Sequence, residues 1–285
     1  MTAYREWSRD DARDCIAVPD ASDDKYSRGV LGVVTGSKAY PGAAVLGVEA
    51  ALRTGVGMVR YLGPDRPSEL VLQRRPETVT EPGRVQAWLL GSGMDAAHRA
   101  PAATRRLTDA LREGLPTVLD AGALDLLPQA TGPVVITPHF RELARVLGTD
   151  ADRIADDPAG SARLASDRLG VTVLLKGHRS YVAAPDGTSL VASTAPAWTA
   201  TAGSGDALGG ILGALLATHS GDAGADGSGA DGAVLARLAA TASVLHGLAA
   251  ERAGGGGPFV VLDLAAALPA VIAALLGAGS RTAES

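Results

Sequence analysis

A chain of 285 residues, 46% hydrophobic but only 4% aromatic, can form one large α/β domain or two small ones and is too apolar to be disordered. Its net charge of −5 and pI near 5.5 give no general pull toward nucleic acid or acidic membranes, so any phosphate must be held locally by backbone amides or single basic residues. One cysteine, Cys15, excludes an intrachain disulfide and a cysteine-based zinc site.

The opening stretch, MTAYREWSRDDARDC, carries charges throughout and has no apolar signal core. With no uninterrupted apolar run near about 18 residues anywhere, the expectation is a soluble cytoplasmic protein. Residues 1–28 read as a polar arm or loosely packed lead-in. RGVLGVVTGS (28–37) is a buried strand stopped by Gly36-Ser37, and GAAVLGVEAALRTG (42–55) has helical spacing, with Val45, Val48, Ala51 and Leu52 on one face. GMVRYLGP (57–64), AWLLGSG (87–93), PTVLDAG (116–122), PVVITPH (133–139) and GVTVLLKG (170–177) repeat the strand theme. Each is a β-branched or aliphatic run ending in Gly, Pro or a polar residue. Helical stretches separate them near 100–113, 140–147 and 158–169, and such alternation predicts a mostly parallel sheet covered on both faces.

SYVAAPDGTSLVAS (180–193) breaks the alternation: two short strands flank the turn Pro185-Asp186-Gly187. The last third is helical, at 205–218, about 233–253, and 263–276. SGDAGADGSGADG (220–232) is a low-complexity loop, read as a mobile surface connection without an assigned function. No second core and no repeat is visible, so residues 29–278 read as one domain and 279–285 as a flexible tail. In open α/β sheets ligands sit at the carboxyl ends of the strands. That points to the loops at 35–43, 91–95, 120–123, 137–142, 176–180 and 199–206.

The last of these loops carries the chemistry. TATAGSGDALGGILGALL (199–216) sets one carboxylate, Asp206, on a glycine hinge before a wholly apolar helix. Gly203 and Gly205 allow close backbone approach, and the amides that open the helix form a ready anion site. Asp206 is either a helix cap or an acid placed beside bound phosphate to take a proton from an attacking hydroxyl. No Gly-Lys-Ser/Thr phosphate loop is present. LLGSGMDAAH (89–98) imitates a dinucleotide fingerprint, but Pro101 interrupts the following segment and this is not the first strand of the sheet. The five histidines are scattered without a zinc pattern, and no protein metal ligands are assigned.

Taken together, GVVTGSKAYPGAAVLGVEAALRTGVGMVRYLGP (32–64), LLGSGMD (89–95), VLDAGALDLL (118–127), ITPHFRELARVLG (136–148), LLKGHRSYVAAPDG (174–187) and ATAGSGDALGG (200–210) resemble the ADP/ATP-dependent (S)-NAD(P)H-hydrate dehydratase family. VLHGLAAE (244–251) and LDLAAALP (262–269) match its C-terminal helices, so the likeness runs from about Lys25 to Leu268. The resemblance implies a ribokinase-like, three-layer α/β/α fold with a mostly parallel central sheet. It implies dehydration of the S epimer of NAD(P)H hydrate, with conversion of ADP (or ATP) and with Mg²⁺ held mainly by phosphates and water.

Residue by residue, the resemblance makes Asp206 the catalytic base and a substrate contact. Ala43, Gly93 and His139 fall at further substrate positions. Lys176, Gly177, His178, Arg179 and Ser180 fall in the segment that wraps the adenine nucleotide, and Gly203, Ser204 and Gly205 in the anion-hole turn. Taken alone, His139 reads as a solvent-facing loop histidine whose place at a strand's carboxyl end favours ligand contact, Lys176 as an ammonium that needs an anionic partner or else a lysine reaching off the sheet edge, and Glu142 as either a favourable first-turn charge or a metal helper. Asp120 and Asp125 read as structural. Pro196, Trp198, Ser92 and Asp95 depart from the family pattern. The epimerase domain that precedes some relatives is not expected here, so a separate NAD(P)H-hydrate epimerase is the expected functional partner. A homo-oligomer, with a tetramer favoured, is expected from the family. The competing readings are a kinase of the same fold acting on a vitamin-precursor hydroxymethyl group and a non-catalytic nucleotide sensor.

Overall fold

The computed structural model describes residues 3–219 and 232–280. The expected mobile loop at 220–232 lies outside the described residues except for Gly232, as does the expected tail at 279–285 beyond Ser280. Along the chain run β1 (Arg5–Glu6), α1 (Arg9–Arg13), β2 (Val30–Val34), α2 (Gly42–Thr54), β3 (Met58–Tyr61), α3 (Asp65–Arg74), β4 (Ala87–Leu90), α4 (Pro101–Leu111) and β5 (Thr117–Leu119). They are followed by β6 (Val134–Ile136), α5 (Phe140–Leu147), α6 (Ala151–Asp156), α7 (Pro158–Leu169), β7 (Thr172–Leu175), β8 (Ser180–Ala183), β9 (Ser189–Ala192), α8 (Ser204–Thr218), α9 (Gly232–Gly254) and α10 (Val261–Ser280). Short 3-10 helices occupy Ala121–Gln129 and Ala197–Thr199.

The strands form one sheet in the order β1-β9-β8-β7-β6-β5-β4-β2-β3. All pairings are parallel except the two made by β8, so β8 alone opposes the common direction. The strands are short and buried on both sides, which is why they read as unbroken apolar runs rather than alternating ones. Successive residues nonetheless feed two different cores. Leu31, Val33, Leu89, Val118, Val135 and Leu174 pack with α2, α8, α9 and α10. Val30, Val34, Leu90, Leu119, Ile136, Val173 and Leu175 pack on the other face with α4, α5, α6 and α7. This is the expected three-layer α/β/α arrangement around a mostly parallel sheet.

Helix α8 is buried on every side, from Ala207 to Ala217, because it is wedged between the sheet, α2 and α9. Its glycines make that possible: a Cβ on Gly210 would collide with the carbonyl of Gly47 on α2, and one on Gly213 would lie 3.0 Å from Leu31. Helix α9 has the length and mean hydropathy (1.5) of a membrane span, but 83% of that window is buried inside the protein, as befits a core helix.

Residues 3–16 do not behave as a loose arm. Arg5 and Glu6 pair with Leu190 and Val191 as an added parallel strand, and Trp7 is 4% exposed with its Nε1 donating to Thr241 Oγ1 of α9 at 3.0 Å. Ser8 and Asp11 then form a capping box that starts α1. On the opposite flank, Glu49 of α2 is fully buried and is bound by Arg53, Arg74 and Arg75, which ties α2 to α3. Burial alone would raise the Glu49 pKa, but the guanidinium bonds of Arg75, Arg53 and Arg74 outweigh it and bring the carboxyl to about 2.

Candidate active site

The parallel topology carries the ends of β2, β4, β5, β6 and β7 to one edge of the sheet, where the buried helix α8 also begins. Gly203 caps α8 with φ +89°, a backbone conformation that favours glycine, and a Cβ there would strike Leu46. Ser204 is the first helical residue and Asp206 the third, so Asp206 is not the cap. The Ser204 amide that opens the helix donates to Thr201 O at 3.3 Å, and the amides of Gly205 and Asp206 follow it with no partner inside the helix. From α9, the buried His246 reaches back to this turn: its Nε2 lies 3.1 Å from Ser204 Oγ and 3.1 Å from the Ser204 carbonyl. Burial lowers the His246 pKa to about 4, so the ring is neutral at physiological pH.

Opposite the helix tip stands Asp120, the residue after β5. Its Oδ1 accepts from Thr137 Oγ1 at 2.7 Å and from Lys176 Nζ at 2.9 Å, and its Oδ2 accepts from Ser92 Oγ at 3.0 Å. One carboxylate therefore joins the loops that leave β4, β5, β6 and β7. Lys176 continues β7, and its amide donates to Pro138 O at 2.9 Å. Its ammonium lies so close to α8 that a Cβ on Gly205 would be 3.3 Å from Nζ. Burial works against the charge of Lys176, but the carboxylates of Asp120, Glu142 and Asp206 outweigh it and raise its pKa. The half-buried Asp206 carboxyl is pushed up to about 7, by burial first and by the negative charge of Asp120 second, with Lys176 opposing both.

Two cavities open on either side of this group. One, of about 540 Å³, is bordered by His139, Lys176, Gly177, His178, Ser204 and Gly205, with His246 and Leu208 at its base. The other, of about 920 Å³, is bordered by Tyr40, Gly93, Met94, Asp120, Glu142 and Arg145. The Asp120–Lys176 ion pair spans the wall between them.

The structure distributes the expected site residues accordingly. Lys176, Gly177, His178, Ser180, Ser204 and Gly205 share the smaller cavity. Arg179 turns away from it: its guanidinium reaches Ser193 Oγ at 3.0 Å and Glu6 Oε2 at 3.3 Å on the sheet edge. Gly93 borders the larger cavity with φ +66°, and a Cβ there would collide with Ala43, whose own side chain is buried behind the 91–95 loop. His139 caps α5: Nδ1 accepts from the Glu142 amide at 3.2 Å, while Glu142 Oε2 accepts from the His139 amide at 2.8 Å. It stands at the smaller cavity rather than the larger one. Glu142 is thus a helix-start carboxylate, and among the described residues no group of three or more His, Cys, Asp or Glu is assembled for a metal. Pro196 borders the smaller cavity, whereas the half-exposed Trp198 donates to Gly256 O at 3.3 Å.

Two residues of this group were not flagged by their sequence context. Asp120 reads as structural, although it lies at a strand's carboxyl end like His139, and that position was the available signal. His246 sits in mid-helix among alanines and leucines, and nothing local distinguishes it from a core histidine.

Residues 31–256 match the family described as NAD(P)H-hydrate dehydratase. The chain is 43% identical over 213 residues to the bifunctional NAD(P)H-hydrate repair enzyme Nnr of Mycobacterium tuberculosis, covering 70% of this chain and 43% of that protein. It is 34% identical over 246 residues to the ADP-dependent (S)-NAD(P)H-hydrate dehydratase of Neisseria meningitidis serogroup B, covering 80% of this chain and 78% of that one. The chain spans about half the length of the bifunctional relatives it matches. Among solved structures, it superposes with a TM-score of 0.82 and 24% identity on the ADP/ATP-dependent NAD(P)H-hydrate dehydratase from Bacillus subtilis co-crystallized with ATP/Mg²⁺, covering 96% of this chain and 100% of that one. A ribokinase-like superfamily protein from Enterococcus faecalis superposes with a TM-score of 0.79 and 21% identity, covering 95% of this chain and 96% of that one. These structural likenesses establish the ribokinase-like fold.

Proposed function

This chain belongs to the NAD(P)H-hydrate dehydratase family, and from that premise we propose that it restores NAD(P)H from the S epimer of NAD(P)H hydrate while converting ADP to AMP and phosphate. The observation that carries the reading is the Asp120–Lys176 ion pair between two cavities, the larger bordered by Asp120 and the smaller by Lys176 and by Ser204 and Gly205 at the start of α8, with Asp206 next in the helix. In this reading the nucleotide occupies the smaller cavity with its terminal phosphoryl group at the α8 amides and Lys176. The damaged cofactor occupies the larger one.

The ring hydroxyl of the hydrate is a poor leaving group and its phosphate ester a good one. Asp206 takes the hydroxyl proton as the oxygen attacks the terminal phosphorus, and the bond from that phosphorus to the AMP oxygen breaks. The α8 amides and the Lys176 ammonium stabilise the charge on the transferring group. The lone pair of the ring nitrogen then expels phosphate, and loss of a proton from the neighbouring ring carbon restores the conjugated dihydropyridine. A carboxyl with its pKa near 7 suits the first step, since it accepts a proton readily at neutral pH. Mg²⁺ would come with the nucleotide and would supply neutralisation of phosphate charge, with few ligands from the protein.

A kinase acting on a vitamin-precursor hydroxymethyl group would use the same base and amides, and the family match over 31–256 favours the dehydratase instead. An NAD(P)H-hydrate epimerase is the functional partner this reading calls for, since it would supply the S epimer. A homo-oligomer, with a tetramer favoured, belongs to the same proposal, supported by the exposed small residues of α10 at Ala266, Pro269, Ala273 and Ala274, on a face whose charge is Asp263 in its first turn. The test is to incubate the purified protein with NADH hydrate, Mg²⁺ and ADP or ATP and follow the reduced-nicotinamide absorbance. Nucleotide-dependent recovery is expected. Phosphate transfer to a vitamin precursor without recovery would favour the kinase, and binding without turnover the sensor.

A further inference from the structure

The carboxylate of Asp120 is the most heavily engaged side chain at the site, yet the proposed chemistry gives it no step. Three side chains from three different loops donate to it: Ser92, Thr137 and Lys176, at 3.0, 2.7 and 2.9 Å. Asp120 is 8% exposed, and the Lys176 side chain is also largely covered. A buried carboxylate with three donors is fixed in place, and a fixed charge acts on its neighbours at full strength because little water screens it. Its neighbours are the two groups that the proposed reaction requires.

We propose that Asp120 is the positioning residue of this site: clamped by Ser92 and Thr137, it anchors the Lys176 ammonium beside Gly205 and presents a fixed negative charge to Asp206. The anchoring follows from geometry. Lys176 extends from the end of β7 on a flexible stem, and Asp120 restricts it to the helix tip beside Gly205. The charge effect follows from placement. The ammonium is bonded to Asp120 and so only partly offsets its charge at Asp206, and two carboxylates set close together cannot both ionise as easily as either would alone, so the clamped one makes the other hold its proton to higher pH.

Among the described residues, no other charge facing Asp206 can substitute. Glu142, in the first turn of α5, acts on Lys176 but is committed to the His139 cap. His246 of α9 is neutral. From α2 the near neighbour is the backbone of Gly47, and the acid of that helix, Glu49, is enclosed by three arginines. The proposal rests on the dehydratase reading only for its kinetic arm.

The test is a pH titration of the full chain carrying ¹³C-labelled aspartate, with the Asp206 resonance assigned by its loss in Asp206→Asn. In the parent, Asp206 is expected to titrate near pH 7. In Asp120→Asn its midpoint is expected to fall by about one pH unit, because the opposing charge is gone. Lys176→Gln is expected to move the midpoint the other way, and this keeps the test decisive where Asp120→Asn does not fold. In turnover, Asp120→Asn should shift the acidic limb of kcat/KM to lower pH by the same amount and raise KM for ADP several-fold. A midpoint that stays within a few tenths of a pH unit of the parent in Asp120→Asn, or in Lys176→Gln where Asp120→Asn does not fold, would overturn the proposal. A parent that titrates as expected but shows no turnover would overturn the dehydratase reading and leave the role of Asp120 standing.

Discussion

His246 Nε2 lies 3.1 Å from both the hydroxyl and the carbonyl oxygen of Ser204, so a residue deep in α9 fixes the first turn of α8. The contact joins two core helices at the point where the proposed phosphate amides begin. It also makes the protein acid-sensitive. His246 is held at about 4 against an ordinary 6.5, so its contribution to stability is complete above about pH 6.5 and is lost as pH falls toward about 4. Thermal unfolding should show this directly: between those two pH values the parent should lose on the order of 3 kcal/mol at most, and His246→Gln distinctly less.

Asp206→Asn should separate function from stability. Turnover is expected to fall by roughly 10³-fold, within the range for losing a base and its positioning, while ADP affinity changes little. Stability should move the other way. The folded-state pKa of Asp206 is raised to about 7, so ionising it opposes folding, and the penalty grows as pH rises from about 4 through about 7. The variant should therefore melt roughly 2–6 °C above the parent near pH 8 and at about the same temperature near pH 4. Equal melting temperatures at both pH values would remove the burial argument for this carboxyl.

Glu49→Ala leaves Arg53, Arg74 and Arg75 facing one another without their shared counter-charge. The expected cost is about 3–5 kcal/mol, the range for removing one partner of a buried ionic cluster. Urea unfolding should show a lower midpoint with an unchanged slope.

Gly93→Ala tests the loop over the larger cavity. The new methyl must adopt φ +66° and collides with Ala43, so a loss of about 1–3 kcal/mol is expected, with KM for the hydrate rising and KM for ADP unchanged. Adding Ala43→Gly removes the struck methyl and should return part of the loss. A double-mutant cycle with no coupling between the two positions would show that the loop had simply moved aside.

The sheet was legible in the sequence because each parallel strand is an apolar run closed by Gly, Pro or a polar residue. Helices α2, α5 and α7 could be placed nearly to the residue, with glycine ending each one. Strand lengths were overread: 116–122 shrinks to Thr117–Leu119, because the apolar and small residues beyond it belong to a 3-10 turn. Helix α3 was not expected because Pro67 and its charged neighbours mask a helix with only Pro67 and Val71 buried. The helix tip of the site was legible, since glycines, an acid and an apolar helix are all local signals. The Asp120 clamp was not, because Ser92, Thr137 and Lys176 come together only when four strand ends align.

The pairing of Arg5–Glu6 with Leu190–Val191 bears on the order in which the chain can mature on a ribosome. Residues 5–7 emerge well before their partners in β9 and α9 exist, so they wait while more than half the domain is synthesised. Until they dock, β9 presents an open hydrogen-bonding edge to any neighbouring nascent chain. Covering that edge is thus a late step, and shortening the chain past Trp7 should show first as aggregation during expression rather than as lost chemistry.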